Sequence, residues 1–406
     1  MIQKTMKKIT VLGNFSGRNA GDAAILGNLL KDISAVHPDA LFVIPTLNPQ
    51  FIYRHFGHYN IKPLGLMPWN GAIKIFGLST FRAMLQTDLV LVTDNILFDR
   101  KLLNPLFNYL STISLIAPAC QRRGIPIALY NASLGPITTP LGKQALQRVL
   151  DASPLLILRD RQSKELLDKL ELTYQDVHIN ADCAINTTPP PRERMDEIVN
   201  REGLFKNPNG TLGFNINAYI DSWSKDNKSF GREQFLQIIG STLDRLIEEL
   251  DIDILYTITQ VMDTKITNES LKYVKRRDRI QVVSNANYTY QEIAGLLERV
   301  DVHVGMRTHS LILASAVLTP ILGINSYPKT AGFMQTIDQD KWAIDFDKLT
   351  PENLTNLIKR AWKQRHETQA AMAPLVQREQ AKALSSVALI SNLLGHRVQP
   401  ERQLTA

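Results

Sequence analysis

Short, uninterrupted apolar runs alternate with amphipathic stretches along almost the whole chain, and this alternation constrains the fold more than any other feature. KITVLG (8–13), ALFVIPT (40–46), DLVLVT (88–93), IPIALYN (125–131) and PLLILRD (154–160) lack the polar alternate face of a half-exposed strand. Between them GDAAILGNLLKDISAV (21–36), PLGKQALQRVLD (140–151) and RQSKELLDKLEL (161–172) repeat apolar residues at helical spacing. Strands with no polar face need cover on both sides, and an intervening helix lets successive strands run parallel.

Around 187–199 the sequence TTPPPRERMDEIV breaks the pattern with three consecutive prolines, which reads as a linker. The alternation then restarts with TLGFNIN (211–217), a helix over 231–250, DILYTI (253–258) and IQVVS (280–284). A helix over 289–299, VDVHVG (300–305), a helix over 307–317 and TPILGIN (319–325) follow. The expected fold is α/β, with two Rossmann-like doubly wound domains facing a central cleft. The first domain spans 1–188, the linker 189–204, the second domain 205–365, and a C-terminal helix and tail 366–406. The last helix is expected to pack back across the first domain. In such sheets ligands sit beyond the carboxyl ends of the strands, so strand-to-helix turns are where chemistry belongs.

At 406 residues the chain can bury two or three cores. Its net charge of +7 is spread out, apart from VKRRDR (274–279) and RRG (122–124), and forms no basic stripe with interleaved aromatics. Nucleic acid is therefore not an expected partner. A mild attraction to anionic substrates, or peripheral contact with an anionic membrane face, suits the balance better. Cys120 and Cys183 are far apart and lack metal-ligand spacing, as buried thiols in a reducing compartment would. No metal site is expected. The basic start MIQKTMKKITVLG is followed by no cleavage site, and LLNPLFNYLSTISLIAPAC (102–120) is too interrupted to span a bilayer. These features suggest the cytoplasm, including the inner face of the membrane. Nothing in the sequence fixes an oligomeric state.

Four turns carry candidate chemistry. VGMRTHSLILASAVLTP (304–320) places Arg307 and His309 at the start of a helix, in a window from Val302 to Ile337 that has no Asp or Glu. Helix starts favour anions, so an arginine and a histidine there make a convergent anion site. The alternative is that Arg307 pairs with a surface carboxylate and His309 caps a buried turn. LGNFSGRNAGDAAIL (12–26) is a glycine-rich turn with neither GxGxxG nor Walker A spacing. Its Asn19 and Asp22 suit sugar hydroxyls, or else Asp22 is an ordinary helix cap. At the end of LILRDRQSKEL's strand (156–166), Arg159 points into the cleft or joins Asp160 and Arg161 in a surface salt-bridge set. HINADCAIN (178–186) and NSYPKTAGFM (325–334) add Asp182 and Lys329.

Together and in this order, these turns resemble the polysaccharide pyruvyl transferase family. Asn19, Gly21, Asp22 and Ala24 match its N-x-G-D-x-A turn. Arg159, Asp160 and Ser163 match R-D-x-x-S, and Asp182 and Ala184 match D-x-A. Gly305 to Ala314 match the most specific signature, G-M-R-x-H-S-L-I-x-A, and SYPK matches a Y-x-P-K-like turn. The chain departs from the family at LVTDNILFD (91–99), where a glycine cluster is usual, and at Thr308, where a bulky apolar residue is usual. The first departure bears on the acceptor.

The resemblance implies a fold of the GT-B type and transfer of pyruvyl from phosphoenolpyruvate to two hydroxyls of one sugar, giving a cyclic ketal and phosphate. Phosphoenolpyruvate is then a co-substrate and no cofactor is needed. The acceptor is a saccharide of a polysaccharide or of its lipid-linked precursor. Arg159 and Arg307 would grip the donor as guanidinium forks, with Ser310 and Lys329 assisting. His309 would serve as acid or base. Asn14, Asn19, Asp22, Asp94 and Asn95 are the candidates for the acceptor's hydroxyls. A clamp of both arginines on the donor needs both guanidinium groups open to it rather than engaged with carboxylates. Two other readings remain: a nucleotide-sugar-dependent glycosyltransferase of the same fold type, and a catalytically inactive saccharide-binding relative.

Overall fold

The apolar runs become the strands of two parallel sheets. The computed structural model describes residues 6–66, 78–104, 108–220, 231–326 and 328–395. The chain divides into two units. Met1–Gly17, Ile25–Cys183 and Glu379–Ala406 form the first, and Arg18–Ala24 with Ala184–Arg378 form the second.

In the first unit β1 (Lys8–Leu12), β2 (Leu41–Thr46), β3 (Ile61–Gly65), β4 (Leu89–Val92), β5 (Ile127–Ala132), β6 (Leu155–Leu158) and β7 (Asp176–Ile179) form one sheet. The helices are α1 (Ala20–Val36), α2 (Pro49–Phe56), α3 (Leu78–Leu85), α4 (Tyr109–Arg122), α5 (Pro140–Asp151) and α6 (Arg161–Lys169). The strand order is β3-β2-β1-β4-β5-β6-β7, all parallel, with the direction of winding reversing between β1 and β4. LVLV of β4 and IALYNA of β5 are buried throughout, as a central strand covered on both faces requires.

In the second unit α7 (Arg192–Glu202), β8 (Thr211–Asn215), α8 (Arg232–Leu250), β9 (Asp253–Ile258), α9 (Thr264–Ser270) and β10 (Ile280–Ser284) come first. Then follow α10 (Tyr290–Leu297), β11 (Val302–Gly305), α11 (Thr308–Ala316), β12 (Ile321–Asn325), α12 (Pro328–Thr336) and β13 (Ala343–Asp345). The helices α13 (Pro351–Lys363) and α14 (Arg365–Gly395) end the described chain. This sheet runs β10-β9-β8-β11-β12-β13, again all parallel, and reverses between β8 and β11.

Three stretches differ from the sequence expectation. The segment read as a linker is helix α7 of the second unit. Pro191 stands at its N-cap, where a missing N–H costs nothing, and Met195 and Ile198 are buried. Residues 18–24, expected in the first domain, belong to the second. The Ala20 N–H donates to the Thr259 carbonyl at 2.8 Å, and the Val261 N–H to the Arg18 carbonyl at 2.9 Å. The C-terminal helix divides within its length, with residues from Glu379 onward in the first unit. There Ser386 Oγ donates to Asn131 Oδ1 at 3.0 Å, and Lys7 Nζ to the Leu394 carbonyl at 3.2 Å.

The apolar segment 102–120 ends as α4, apart from residues 105–107, which lie outside the described residues. Leu110, Ile113, Ile116, Ala117 and Cys120 of α4 are buried in the first unit's core. Among the described residues no helix is long and apolar enough to cross a membrane.

Candidate functional site

The GMRTHS turn lies at the point where the second sheet reverses, between the carboxyl ends of β8 and β11. Asn215, the last residue of β8, organises it: its Oδ1 accepts from the Arg307 N–H at 3.1 Å, and its Nδ2 donates to the Thr257 carbonyl at 2.7 Å. Arg307 is the N-cap of α11. Its Nε and Nη2 donate to the two carboxylate oxygens of Asp263 at 2.8 and 2.6 Å. Asp263 is fully buried and also accepts from the Ala218 N–H at 2.8 Å. The Tyr219 ring stacks under the guanidinium, 4.7 Å from centroid to Cζ.

The acid-free window therefore does not leave Arg307 unpaired. Its carboxylate comes from the turn after β9, which the window does not include. The expectation of an open guanidinium is corrected here, and the pairing alternative holds, with a buried rather than a surface partner. Ser310 is corrected as well. It is fully buried and its Oγ donates to the Arg307 carbonyl at 2.8 Å, so it serves the helix start rather than a ligand. Thr308, the departure from the family pattern, shares a 3.1 Å hydrogen bond with Thr330 of α12. Lys329 is half-buried in the first turn of α12. Tyr327 of the SYPK turn lies outside the described residues.

His309 follows in the first turn of α11 and is half-buried. Its ring lies directly on Gly21: a Cβ built there would fall 2.2 Å from His309 Cγ and 2.3 Å from Nδ1. Only glycine admits that approach. Gly21 is held by Asn19, whose Oδ1 accepts the Gly21 N–H at 2.9 Å and whose Nδ2 donates to Asp22 Oδ1 at 2.7 Å. Asn19 also bridges to Gln260 in an isolated antiparallel pair. Asn19 and Asp22, expected to meet sugar hydroxyls, thus spend these polar atoms on shaping the turn under His309. Asp22 is also buried. The two most specific motifs, far apart in sequence, meet as one local structure.

In the first unit Arg159 follows β6 and is almost completely buried. Its Nη1 donates to Asp182 Oδ2 at 2.7 Å and its Nη2 to Asp94 Oδ1 at 3.3 Å. Burial opposes its charge, but Asp182, Asp94 and Asp160 outweigh burial and raise its pKa. The surface set with Asp160 and Arg161 does not form. Asp160 instead caps α6, accepting from the Ser163 N–H at 2.7 Å, and Arg161 is exposed. Arg159 is accordingly corrected too: its fork is engaged by carboxylates. Asp94, Asn95 and Asn14 flank the reversal point of the first sheet, following β4 and β1. Asp94 has φ +58°, a left-handed conformation that Asp tolerates better than most residues, and it stands where the family usually carries glycine.

Three residues here carry no prior expectation. Asp263 is the lone acid of the TQVMDT turn after β9, while Asn215 and Tyr219 follow from the NIN end of β8. The signal for them was present: polar residues at the carboxyl ends of strands beside a reversal point.

A family model described as polysaccharide pyruvyl transferase matches residues 19–326. The amylovoran biosynthesis protein AmsJ of Erwinia amylovora is 23% identical over 266 residues, which cover 63% of this chain and 62% of that protein. The chain thus spans less than two thirds of the length of this curated relative. Among solved structures, the UDP-GlcNAc 2-epimerase of Methanocaldococcus jannaschii superposes with a TM-score of 0.66 at 13% identity, covering 95% of this chain and 100% of the other. HepE of Anabaena in complex with UDP gives 0.61 at 12%, covering 96% and 100%. At such identities the likeness is one of fold, the two-sheet α/β architecture of the GT-B type.

Proposed function

The chain belongs to the polysaccharide pyruvyl transferase family, and from that premise we propose that it transfers pyruvyl from phosphoenolpyruvate to two hydroxyls of one sugar in polysaccharide biosynthesis. The observation that carries this reading is the seating of His309 against Gly21 at the reversal point of the second sheet. A titratable imidazole on a rigid helix start, backed by a glycine, is a fixed proton-transfer group.

The reaction needs two proton movements. The CH2 carbon of phosphoenolpyruvate gains a proton and becomes methyl, while C2 bonds to one sugar oxygen. The second sugar oxygen then displaces phosphate from C2. Of the two hydroxyl protons, one ends on the methyl group and the other on phosphate. His309 takes a hydroxyl proton and delivers one to the enol carbon.

The donor's charge must be met by groups other than an unpaired arginine. Asp263 uses two of the five N–H donors of Arg307 and locks the fork in place, which leaves its other N–H groups for the donor's oxygens. Lys329 and the N-terminus of α11 add positive potential. Within the first unit Arg159 positions Asp94, and Asp94, Asn14 and Asn95 offer that unit's hydrogen-bonding groups to a saccharide. The acceptor is a saccharide, free or lipid-linked.

Incubating the purified chain with phosphoenolpyruvate and candidate glycans should release phosphate and add a pyruvyl ketal to the glycan by mass. His309→Ala should abolish turnover and keep phosphoenolpyruvate binding, whereas Arg307→Ala should weaken binding as well. Wild-type turnover in His309→Ala would end the proposal. Thermal stabilisation by a UDP-sugar and none by phosphoenolpyruvate would instead favour a nucleotide-sugar transferase.

A further inference from the structure

Arg307 is held on two sides and open on a third. Asp263 takes Nε and Nη2, the nitrogens of one guanidinium edge. The neighbouring edge, made by Nη1 and the other N–H of Nη2, has no hydrogen-bond partner among the described residues. The Arg307 side chain keeps 14% of its surface exposed, whereas Asp263 keeps none. Against one face of the guanidinium lies Tyr219, with its ring centroid 4.7 Å from Cζ.

The Tyr219 ring is 44% exposed, although Ile216 and Ile220 beside it in the chain are each buried to 1%. Loose packing does not account for that exposure, because the segment is pinned. The Tyr219 N–H donates to Asn217 Oδ1 at 3.1 Å, and Asn217 Nδ2 donates to Ser326 Oγ at 3.2 Å. The Ala218 N–H donates at 2.8 Å to Asp263 Oδ1, the same oxygen that accepts from Arg307 Nη2. One carboxylate thus ties the arginine and the segment carrying the ring into a single unit.

We propose that Tyr219 is a positioning residue for donor binding: with Asp263 it fixes the plane of Arg307 so that the free Nη1–Nη2 edge meets two oxygens of phosphoenolpyruvate. The inference rests on the pyruvyl transfer reading. A guanidinium fork binds oxygens lying in its own plane, so affinity depends on where that plane points. Asp263 constrains one edge and leaves the group free to tilt about its two hydrogen bonds. A ring against the face removes that tilt, and it does so without using an N–H, so every remaining donor is kept for the ligand.

The test compares Tyr219→Leu and Tyr219→Phe in the phosphate-release assay, with phosphoenolpyruvate varied against a fixed glycan. Tyr219→Leu should raise the KM for phosphoenolpyruvate about fivefold, the size of one cation–π contact, with kcat within about twofold of wild type. Tyr219→Phe keeps the ring and should keep the wild-type KM. In an Arg307→Lys background no planar fork remains to be oriented, and Tyr219→Leu should then raise KM by less than about twofold. Melting temperatures close to wild type would confirm that the variants fold, as the exposure of the ring leads one to expect. An unchanged KM in Tyr219→Leu, an equal rise in Tyr219→Phe, or the full effect in the Arg307→Lys background would overturn the proposal while leaving pyruvyl transfer intact. A wild-type chain that neither binds phosphoenolpyruvate nor releases phosphate would end the pyruvyl transfer reading and this inference with it.

Discussion

The ring of His309 and the α-carbon of Gly21 are in direct contact, so that a methyl group on Gly21 would overlap the imidazole at 2.2 Å. Gly21→Ala should therefore displace His309. A displacement of about an ångström typically costs on the order of a hundredfold in rate. Phosphate-release assays should show kcat falling by that order, with phosphoenolpyruvate binding nearly unchanged. A normal kcat in this variant would mean that the position of His309 does not matter to turnover.

The Arg307–Asp263 pair should behave as a buried bridge with one partly open member. Asp263→Ala removes a fully buried carboxylate and leaves both Arg307 and the Ala218 N–H without their acceptor. Urea unfolding should show a loss of about 3 kcal/mol. Arg307→Lys keeps the charge but loses the two-pronged contact, and it should raise the KM for phosphoenolpyruvate about tenfold. If Lys serves as well as Arg, the fork has no part in binding.

Arg159 tests the first unit in the same way. Arg159→Met leaves Asp94 and Asp182 buried without their cation and should cost about 3–5 kcal/mol by urea unfolding. Adding Asp94→Asn and Asp182→Asn should recover most of that loss. Failure to recover would show that the cost comes from packing rather than charge.

His303, in the middle of β11, is fully buried with neither ring nitrogen hydrogen-bonded, and its ring abuts Gly213 of β8. Burial pushes its pKa down to about 3. The unfolded chain takes up a proton on this residue below about pH 6.5, while the folded chain does not until about pH 3, so stability falls with acidification across that window. Between pH 7 and pH 5 the loss from this group should be about 2 kcal/mol. His303→Leu should remove that portion of the acid sensitivity, as read from denaturant unfolding at the two pH values. An unchanged pH dependence would locate the sensitivity elsewhere.

Central strands were legible because a strand covered on both faces must be apolar throughout, as LVLV and LLIL are. The strands that escaped notice, β3, β7 and β13, are edge strands. IKPLG, DVHI and AID are short and half-exposed, so burial imposes no continuous apolar run on them. Helix α7 was hidden by the prolines that precede it. The positions of Arg307 and His309 at a strand-to-helix turn were readable, but the electrostatics of Arg307 were not. Its partner Asp263 lies 44 residues upstream, and a stretch of chain free of acids says nothing about acids that a neighbouring turn supplies. Similarly, no local pattern shows that residues 18–24 hydrogen-bond to Thr259 and Val261.

That exchange of segments bears on how the molecule can be made. Gly21 and its neighbours, emerging early from the ribosome, must wait for β9 before their partners exist, and Asn131 waits for Ser386 at the far end of α14. Cutting the gene once near codon 188 would thus strip one fragment of the turn beneath His309 and the other of its closing helix. Co-expressed halves should regain activity only if the leading piece retains residues 18–24 and the trailing piece retains residues 379–395.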